Sequence, residues 1–461
     1  VSISSLLNLG ANGMAASNFG ANVASQGASN VATEGYTRRV ATLVPLGQAP
    51  AGGNGVQALG ARRSLDPFVE KRLLGVRSSA GEATARSDAL ATLDEIFTDG
   101  GIGTSLDEFE AAIADVAARP GETAPRTVLL SAADALARSF TEAGARVAEA
   151  RSDVNGKLTA EVGTINQRLE KIAALGREIT RTEVDGREAS DLRDQRDQLV
   201  REVSTQIPVT VMPQADGQVS LLLAGRLELV SRDGKAHLLT ASRDPGTGDT
   251  RVTAVEAGAA VDVTRYSQSG TIGGLISARD GAITTAATRL DQLAFDVATA
   301  YNAAHGAGVD LDGSAGTPLF NVSATVAGAA QSLSLSATVA GQPRKIAAAQ
   351  DAASLPGDNR NALALRALST TFVASSGTRT ANEAFADAGA ELGTAIARAL
   401  GDRTHTEDAK VQVESLRASI SGVSLDEEMT NLMRYQRAYQ ASLQVVQVAD
   451  EMLTSLLALR R

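Results

Sequence analysis

Side chains able to do chemistry are few in this chain and widely scattered. The three histidines, His237, His305 and His405, have no spacing that suits metal ligation or catalysis. His305 stands before Gly306 at an expected helix end, where an imidazole more readily caps carbonyls or sits in water than binds a metal. Asp310-Leu311-Asp312-Gly313 hints at a calcium loop, but the other EF-hand ligands and the bidentate glutamate are missing, so a plain turn is expected. The charges from Arg193 to Asp197 could suggest acid–base work. On a helix, however, Arg193 and Asp197 form an i,i+4 pair on one face, worth about 0.3 kcal/mol. With no cysteine there is neither a disulfide framework nor a thiolate metal site. No phosphate loop or nucleophile elbow is present. The expectation is no catalytic residue, no cofactor and no metal.

The 461 residues suffice for two to four domains. Tryptophan is absent and aromatic residues make up 3%, so a core of Ala, Leu and Val in close-packed helices is expected. The net charge of −10 argues against nucleic acid as a partner. Glu34 is the first charged residue. The apolar residues before it are interrupted by Asn8, Asn12, Ser17, Asn18 and Asn22, so neither a cleaved leader nor a membrane span is expected there. No other stretch is apolar enough to span a membrane. Export, if it occurs, is expected without a cleaved signal peptide.

Period and punctuation predict the elements. Residues 2–28 read as helix, with Ile3, Leu6, Leu7 and Met14 near one face and Phe19 and Val23 further along. Gly10, Gly13 and Gly20 each weaken it by about 1 kcal/mol relative to Ala, but small residues admit a close neighbour. A loop is expected over 30–63. Helices follow over 66–97, with Pro67 at the start, then over 105–118, 122–180 and 190–205. From Pro208 to Tyr266 the period changes to two: Val209 and Val211, then Val219, Leu221 and Leu223, then Leu227 and Leu229, with turns at Asp216-Gly217 and Asp233-Gly234. Helix returns over 273–304, an irregular stretch runs to Gly357, and helix over 381–459 breaks near Gly401 and Gly422. The fold class is mainly α: long antiparallel helices, paired terminal helices and a small, self-contained β domain outside. The expected divisions are 1–63, 64–207, 208–270 (the β insertion), 271–417 and 418–461.

The last helix carries a seam. Leu425, Met429, Leu432, Tyr439, Leu443, Val446, Leu453 and Leu457 recur at 4-3 spacing, with Gln436 and Asp450 as polar members. Gln440, Gln444, Gln447 and Glu451 form a polar strip, while Val445 and Val448 lie off the seam. The spacing fits a coiled coil, and it also fits a terminal helix docked on its own domain.

Both ends carry motifs. Asn22-Val23-Ala24-Ser25 and Ala28-Ser29-Asn30-Val31-Ala32 precede Thr33-Glu34-Gly35-Tyr36-Thr37-Arg38-Arg39. Val423-Ser424-Leu425-Asp426-Glu427-Glu428 and Tyr435-Gln436-Arg437-Ala438-Tyr439 stand near the other end. Together these resemble the terminal motifs of the flagellar rod, hook and junction superfamily. Asp191-Leu192-Arg193-Asp194-Gln195-Arg196-Asp197, Asn302-Ala303-Ala304-His305 and Pro356-Gly357-Asp358-Asn359-Arg360-Asn361-Ala362 are similar to segments of its hook–filament junction family. The resemblance implies a self-assembling structural subunit, not an enzyme. It implies a ring of copies in the extracellular flagellum, contacting hook protein and an adjacent hook-associated or filament subunit, with an export chaperone on the C-terminal segment. The assembly surface would use Ile3, Leu6, Leu7, Met14, Phe19, Val23 and Tyr36 with the last helix's seam. An outer domain present in longer relatives would be missing or reduced. A hook or rod subunit shares the terminal motifs, but hook proteins are β-rich centrally and rods are shorter. Flagellin fits the motifs poorly, and a peptidoglycan hydrolase would need a carboxylate pair or Cys/His site.

The seam yields a paired test. Leu443→Lys would bury a charge in a helix–helix contact at several kcal/mol, whereas Gln444→Lys keeps helix propensity. The first is expected to be exported yet fail to join hook to filament, and the second to behave as wild type, in motility assays with secreted-protein blots.

Overall fold

The computed structural model describes residues 2–46, 48–49, 52–53, 55–94, 96, 101–186, 188–256 and 259–458. Helix α1 (Ile3–Ser29) starts where the Ser2 hydroxyl accepts from the Ser5 amide. Strands β1 (Arg39–Pro45) and β2 (Val56–Arg63) then pair antiparallel, so the expected loop is a hairpin. Asp66 caps α2 (Pro67–Ala91) by accepting from the Phe68 and Val69 amides, and Pro67 takes the first turn, where no amide is needed. That helix ends earlier than expected; Phe97 lies outside the described residues. Helix α3 (Gly101–Ala118) leads into α4 (Thr123–Thr182), 60 residues and about 90 Å long. Leu136, Phe140, Val147, Val154, Leu158 and Ile165 mark its buried stripe. Helix α5 (Ser190–Gln206) turns back along it.

Six strands follow, in two three-stranded antiparallel sheets. β3 (Val209–Pro213), β4 (Val219–Leu223) and β5 (Leu227–Val230) form one, in sequence order. β6 (Leu239–Arg243), β7 (Thr250–Glu256) and β8 (Ala259–Asp262) form the other. The alternating residues do face one side: Val209 lies opposite Leu223 and Val211 opposite Leu221. The expectation of a self-contained module is corrected, however. Leu221, Leu223, Leu229 and Val252 are fully buried in the same continuous core as Leu158, Ile165, Leu169 and Ile172 of α4. Polar ties reinforce this. The Arg151 guanidinium donates to both Asp249 oxygens at 2.9 and 2.6 Å, and Asn166 bonds both the amide and the carbonyl of Leu239.

The chain returns through α6 (Gly270–Ala278), a single π-helical turn (Arg279–Ile283) and α7 (Thr284–Gly306), which run on continuously. Helix α8 (Arg360–Ala367) and the long α9 (Ala381–Ser421) close the body, α9 against α2. The break expected at Gly401 is absent, and α9 runs straight through it. Gly422 does separate α9 from α10 (Leu425–Ala458); Leu459 lies outside the described residues.

Side chain–backbone bonds hold the irregular stretch after α7. The Asn302 carboxamide accepts from the Leu319 and Phe320 amides, and Asp358 accepts from those of Gln350 and Asp351. His305 is fully buried, not a solvated cap: Nδ1–H donates to the Thr317 carbonyl at 2.5 Å, and Nε2 accepts from the Ala347 amide at 3.0 Å. Asp310 takes the Asp312 and Ser314 amides on one oxygen and Lys345 on the other, and Asp312 pairs with Arg344 and Lys345. The Asp310–Gly313 segment is therefore a charge-matched turn.

Two outcomes follow from this packing. Replacing 209–266 by a Gly/Ser linker uncovers the buried stripe of α4, so a lower melting temperature of the remaining body is expected by calorimetry. Burial holds the His305 imidazole below its usual pKa, and therefore neutral. The unfolded chain takes up that proton below about pH 6.5, so stability falls by up to about 1.4 kcal/mol per pH unit on acidification from there. Urea midpoints between pH 7 and 5 are expected to show this slope in the wild type and lose it in His305→Gln.

Candidate assembly surface

The two ends of the chain meet as an antiparallel pair. Gly10 of α1 lies against Ser442 and Val446 of α10, Gly20 against Tyr435 and Gly27 against Glu428. The buried face of α1 consists mainly of small residues: Gly10, Ala16, Ser17, Gly20, Ala24 and Gly27, with Val23. A Cβ on Gly20 would stand 2.4 Å from the Tyr435 ring, so only glycine admits that ring. Gly13 sits likewise over the Ser442 side chain. Glycines that weaken the isolated helix are thus what lets α10 approach.

The 4-3 seam of α10 is not the stripe that meets α1. The stripe turned to α1 runs through Glu428, Tyr435, Ser442, Val446 and Ala449. Of the expected seam only Leu432 and Val446 are half-buried. Leu425, Met429, Tyr439, Leu443, Leu453 and Leu457 remain 39–61% exposed. Met433, Val448, Met452 and Leu456 add further exposed apolar surface. On α1, Ile3, Leu6, Leu7, Met14 and Phe19 are half-buried and Val23 is buried. The 4-3 period is real, but polar and small residues of a neighbouring stripe make the contact within the chain.

Below the pair, an ionic joint ties it to the helical body. The Arg38 amide donates to the Ser421 carbonyl at 2.9 Å, and its guanidinium reaches Glu427 at 2.6 Å and Glu428 at 3.1 Å. Asp194 of α5 accepts from the Thr37 amide at 3.2 Å and from Arg63 at 3.0 Å, with Arg39 at 3.5 Å. Arg63, almost fully buried, also reaches Glu188 and Asp197, each at 2.8 Å. Arg39 pairs with Asp191 and lies over the half-buried Tyr36 ring, 4.9 Å from its centroid. Gly35, at φ +82°, leaves room for Gln198, whose Oε1 would stand 2.2 Å from an added Cβ. The expected Arg193–Asp197 pair does not form. Arg193 turns to Glu183, while Asp197 takes Arg63 and Arg196.

Burial alone would raise the Asp197 carboxyl, yet Arg196 and Arg63 hold it below the usual carboxylate range. Burial would lower the Arg63 guanidinium, and Asp197 and Asp194 push it up instead. Both groups are therefore charged at neutral pH. Two motifs noted separately in the sequence, Gly35 to Arg39 and Asp191 to Asp197, are the two halves of one joint. The signal lay in their opposite charge.

Removing Asp194 leaves Arg63 and the Thr37 amide short of an acceptor in a buried place. Asp194→Ala is expected to cost about 3 kcal/mol, read as a lower urea midpoint at pH 7. Faster hydrogen exchange from residue 30 to 45 is expected with it.

Among the described residues no helix is long and apolar enough to cross a membrane. Residues 90–320, half of the chain, match the family model of the flagellar hook-associated protein FlgK helical domain. Residues 417–459 match that of the flagellar basal body rod FlgEFG protein C-terminal. The chain is 26% identical to flagellar hook-associated protein 1 of Salmonella typhimurium over 555 residues, covering 99% of this chain and all of that one. It is 25% identical to the proteins of the same name in Escherichia coli and Bacillus subtilis, over 99% and 92% of this chain and 100% and 92% of theirs. The solved flagellar hook junction protein FlgK from Burkholderia pseudomallei shares the fold, with a TM-score of 0.69 at 16% identity, over 76% of this chain and 100% of that one. From the helical body to the last helix, the chain belongs to the FlgK family of flagellar hook-associated proteins.

Proposed function

We propose that this chain is a structural subunit of the bacterial flagellum that joins hook to filament, without catalytic activity. The observation that carries the reading is the bare side of α10. One stripe is occupied by α1, while exposed apolar residues run from Leu425 to Leu457. A continuous apolar surface of that length on a water-facing helix marks a contact with another chain. Copies packed through it would form a ring, with the terminal pair innermost, the helical body next and the strands of 208–270 outermost. Hook protein on one side and an adjacent hook-associated or filament subunit on the other would be the neighbours. An export chaperone covering the same C-terminal stripe before assembly fits its exposure, as does export as an unfolded chain.

The small-residue face of α1 buries little apolar surface, so the pair gains little to offset its ordering entropy. In the free chain, α1 and α10 are expected to exchange amide protons much faster than α4, and to gain protection on assembly. Electron microscopy of a deletion strain tests the function: hooks without filaments, with filament protein lost to the medium, are expected. Normal filaments on the deletion strain refute it. A zymogram on peptidoglycan is expected to show no clearing.

A further inference from the structure

A groove of about 470 Å³ lies where α2, α5 and the edge strand β3 meet. It has no part in the terminal pair. Leu65, Leu74, Val200, Val209 and Val211 give it an apolar wall, and charged side chains line the rest. Two features of it are incomplete within the chain.

The first is the strand. The Pro208 carbonyl and the Gln214 amide bond across to β4, at Ala224 and Gln218, and alternation along the ladder turns Thr210 and Met212 the same way. The peptide groups of Val209 and Val211 therefore point out of the sheet. β4 is the only strand paired with β3 among the described residues, and no backbone partner meets those two half-buried residues. An edge strand left open in this way presents unpaired amides and carbonyls to which another chain can add.

The second is charge. Arg201, buried on the groove's wall, pairs among the described residues with Glu70 alone, at 3.5 Å, and Glu70 is already held by Arg417 at 2.7 Å. Burial, together with the nearby Arg417, lowers its pKa against the opposing pull of Glu70 and Asp197. Lys71, exposed at the mouth, forms no ion pair among the described residues. The other cations here are matched: Arg63 by Glu188, Asp194 and Asp197, Arg193 by Glu183, and Arg196 by Asp197.

We infer that this groove docks a short extended segment of a neighbouring flagellar subunit, which adds to the edge of β3 and sets an acidic side chain between Lys71 and Arg201. Strand addition supplies the main-chain partners, and the acid supplies the missing charge. The inference rests on the reading of the chain as a flagellar subunit.

The chain has no cysteine, so Gly75→Cys places a single thiol at the groove. A side chain there meets nothing within 4 Å, and the same holds for the control Gly393→Cys on α9. Biotin-maleimide is expected to label Gly75→Cys at least tenfold more slowly in intact flagella than in the free chain. A benzophenone maleimide on the same thiol is expected to cross-link, in flagella, to a peptide with Asp or Glu beside the attachment point. Lys71→Glu is expected to lower the amount of chain in purified flagella severalfold at an unchanged melting temperature, and Lys71→Arg to leave it unaltered. Equal labelling of Gly75→Cys in both states overturns the inference. So does an attached peptide without an acid, or wild-type incorporation of Lys71→Glu. Absence of both cysteine variants and of wild-type chain from flagella refutes the flagellar reading itself.

Discussion

The contact on which the rest depends is the carboxylate of Asp194. It lies on the body's α5, yet its partners, Thr37, Arg39 and Arg63, all belong to the segment that links α1 to α2. That segment includes a two-stranded hairpin, which has no stability of its own in water. The ionic joint adds directed ties to the short connections at 30–38, 64–66 and 422–424 that carry the chain between the terminal pair and the body. An apolar contact could hold the two together, but it would tolerate sliding. Charged hydrogen bonds to a fixed carboxylate define direction as well as proximity.

That requirement explains why polar residues occupy what would ordinarily be apolar positions. Glu428 is buried on α10's inner stripe, where it takes the Arg38 guanidinium and packs over Gly27. One side chain thus closes the end of the terminal pair and connects it to the joint. The same economy shapes α1. A helix of larger apolar residues would pair more tightly, but it would set α10 further away. The glycine over Tyr435 fixes the separation, and with it where the exposed side of α10 points.

Much of this was legible in the sequence and some was not, for physical reasons. The helices from 67 to 206 declare themselves by period, the Asp66–Pro67 start by its chemistry, and the strands from 209 to 230 by alternation. Periodicity reports that a helix has an apolar stripe, not what lies opposite it. On α10 the most apolar stripe faces away from α1, because Tyr435, Ser442 and Ala449 suit a glycine face better than leucines do. The hairpin at 39–63 was hidden because its strands carry Arg, Thr and Gly in place of alternating apolar residues. The joint was hidden because its partners lie 125 residues or more apart; for Arg193 and Asp197, local spacing pointed to a pair that tertiary partners outcompete. His305 was misplaced for a similar reason: a helix end is usually wet, but here a stretch with only short strands and turns folds over it.

That stretch, from 307 to 357, shows how a segment whose only ladder among the described residues is the two-residue pair of Phe320–Asn321 with Ser334–Leu335 becomes part of a core. Its buried residues are mostly small, Ala329, Ala330, Ala347, Ala348 and Ala349, so its backbone lies deep, where unpaired peptide groups are costly. Four of the side chains that satisfy them are short and rigid and serve two groups at once: Asn302 for 319 and 320, Asp310 for 312 and 314, Asp358 for 350 and 351, and His305 for 317 and 347. Their geometry specifies one path for the chain, as a ladder would in a sheet. The residues that resemble a family signature at 302–305 and 356–362 are thus read by backbone amides and carbonyls within the chain. The terminal motifs differ in kind, since they fix how α10 is held over the body and where its exposed apolar side points.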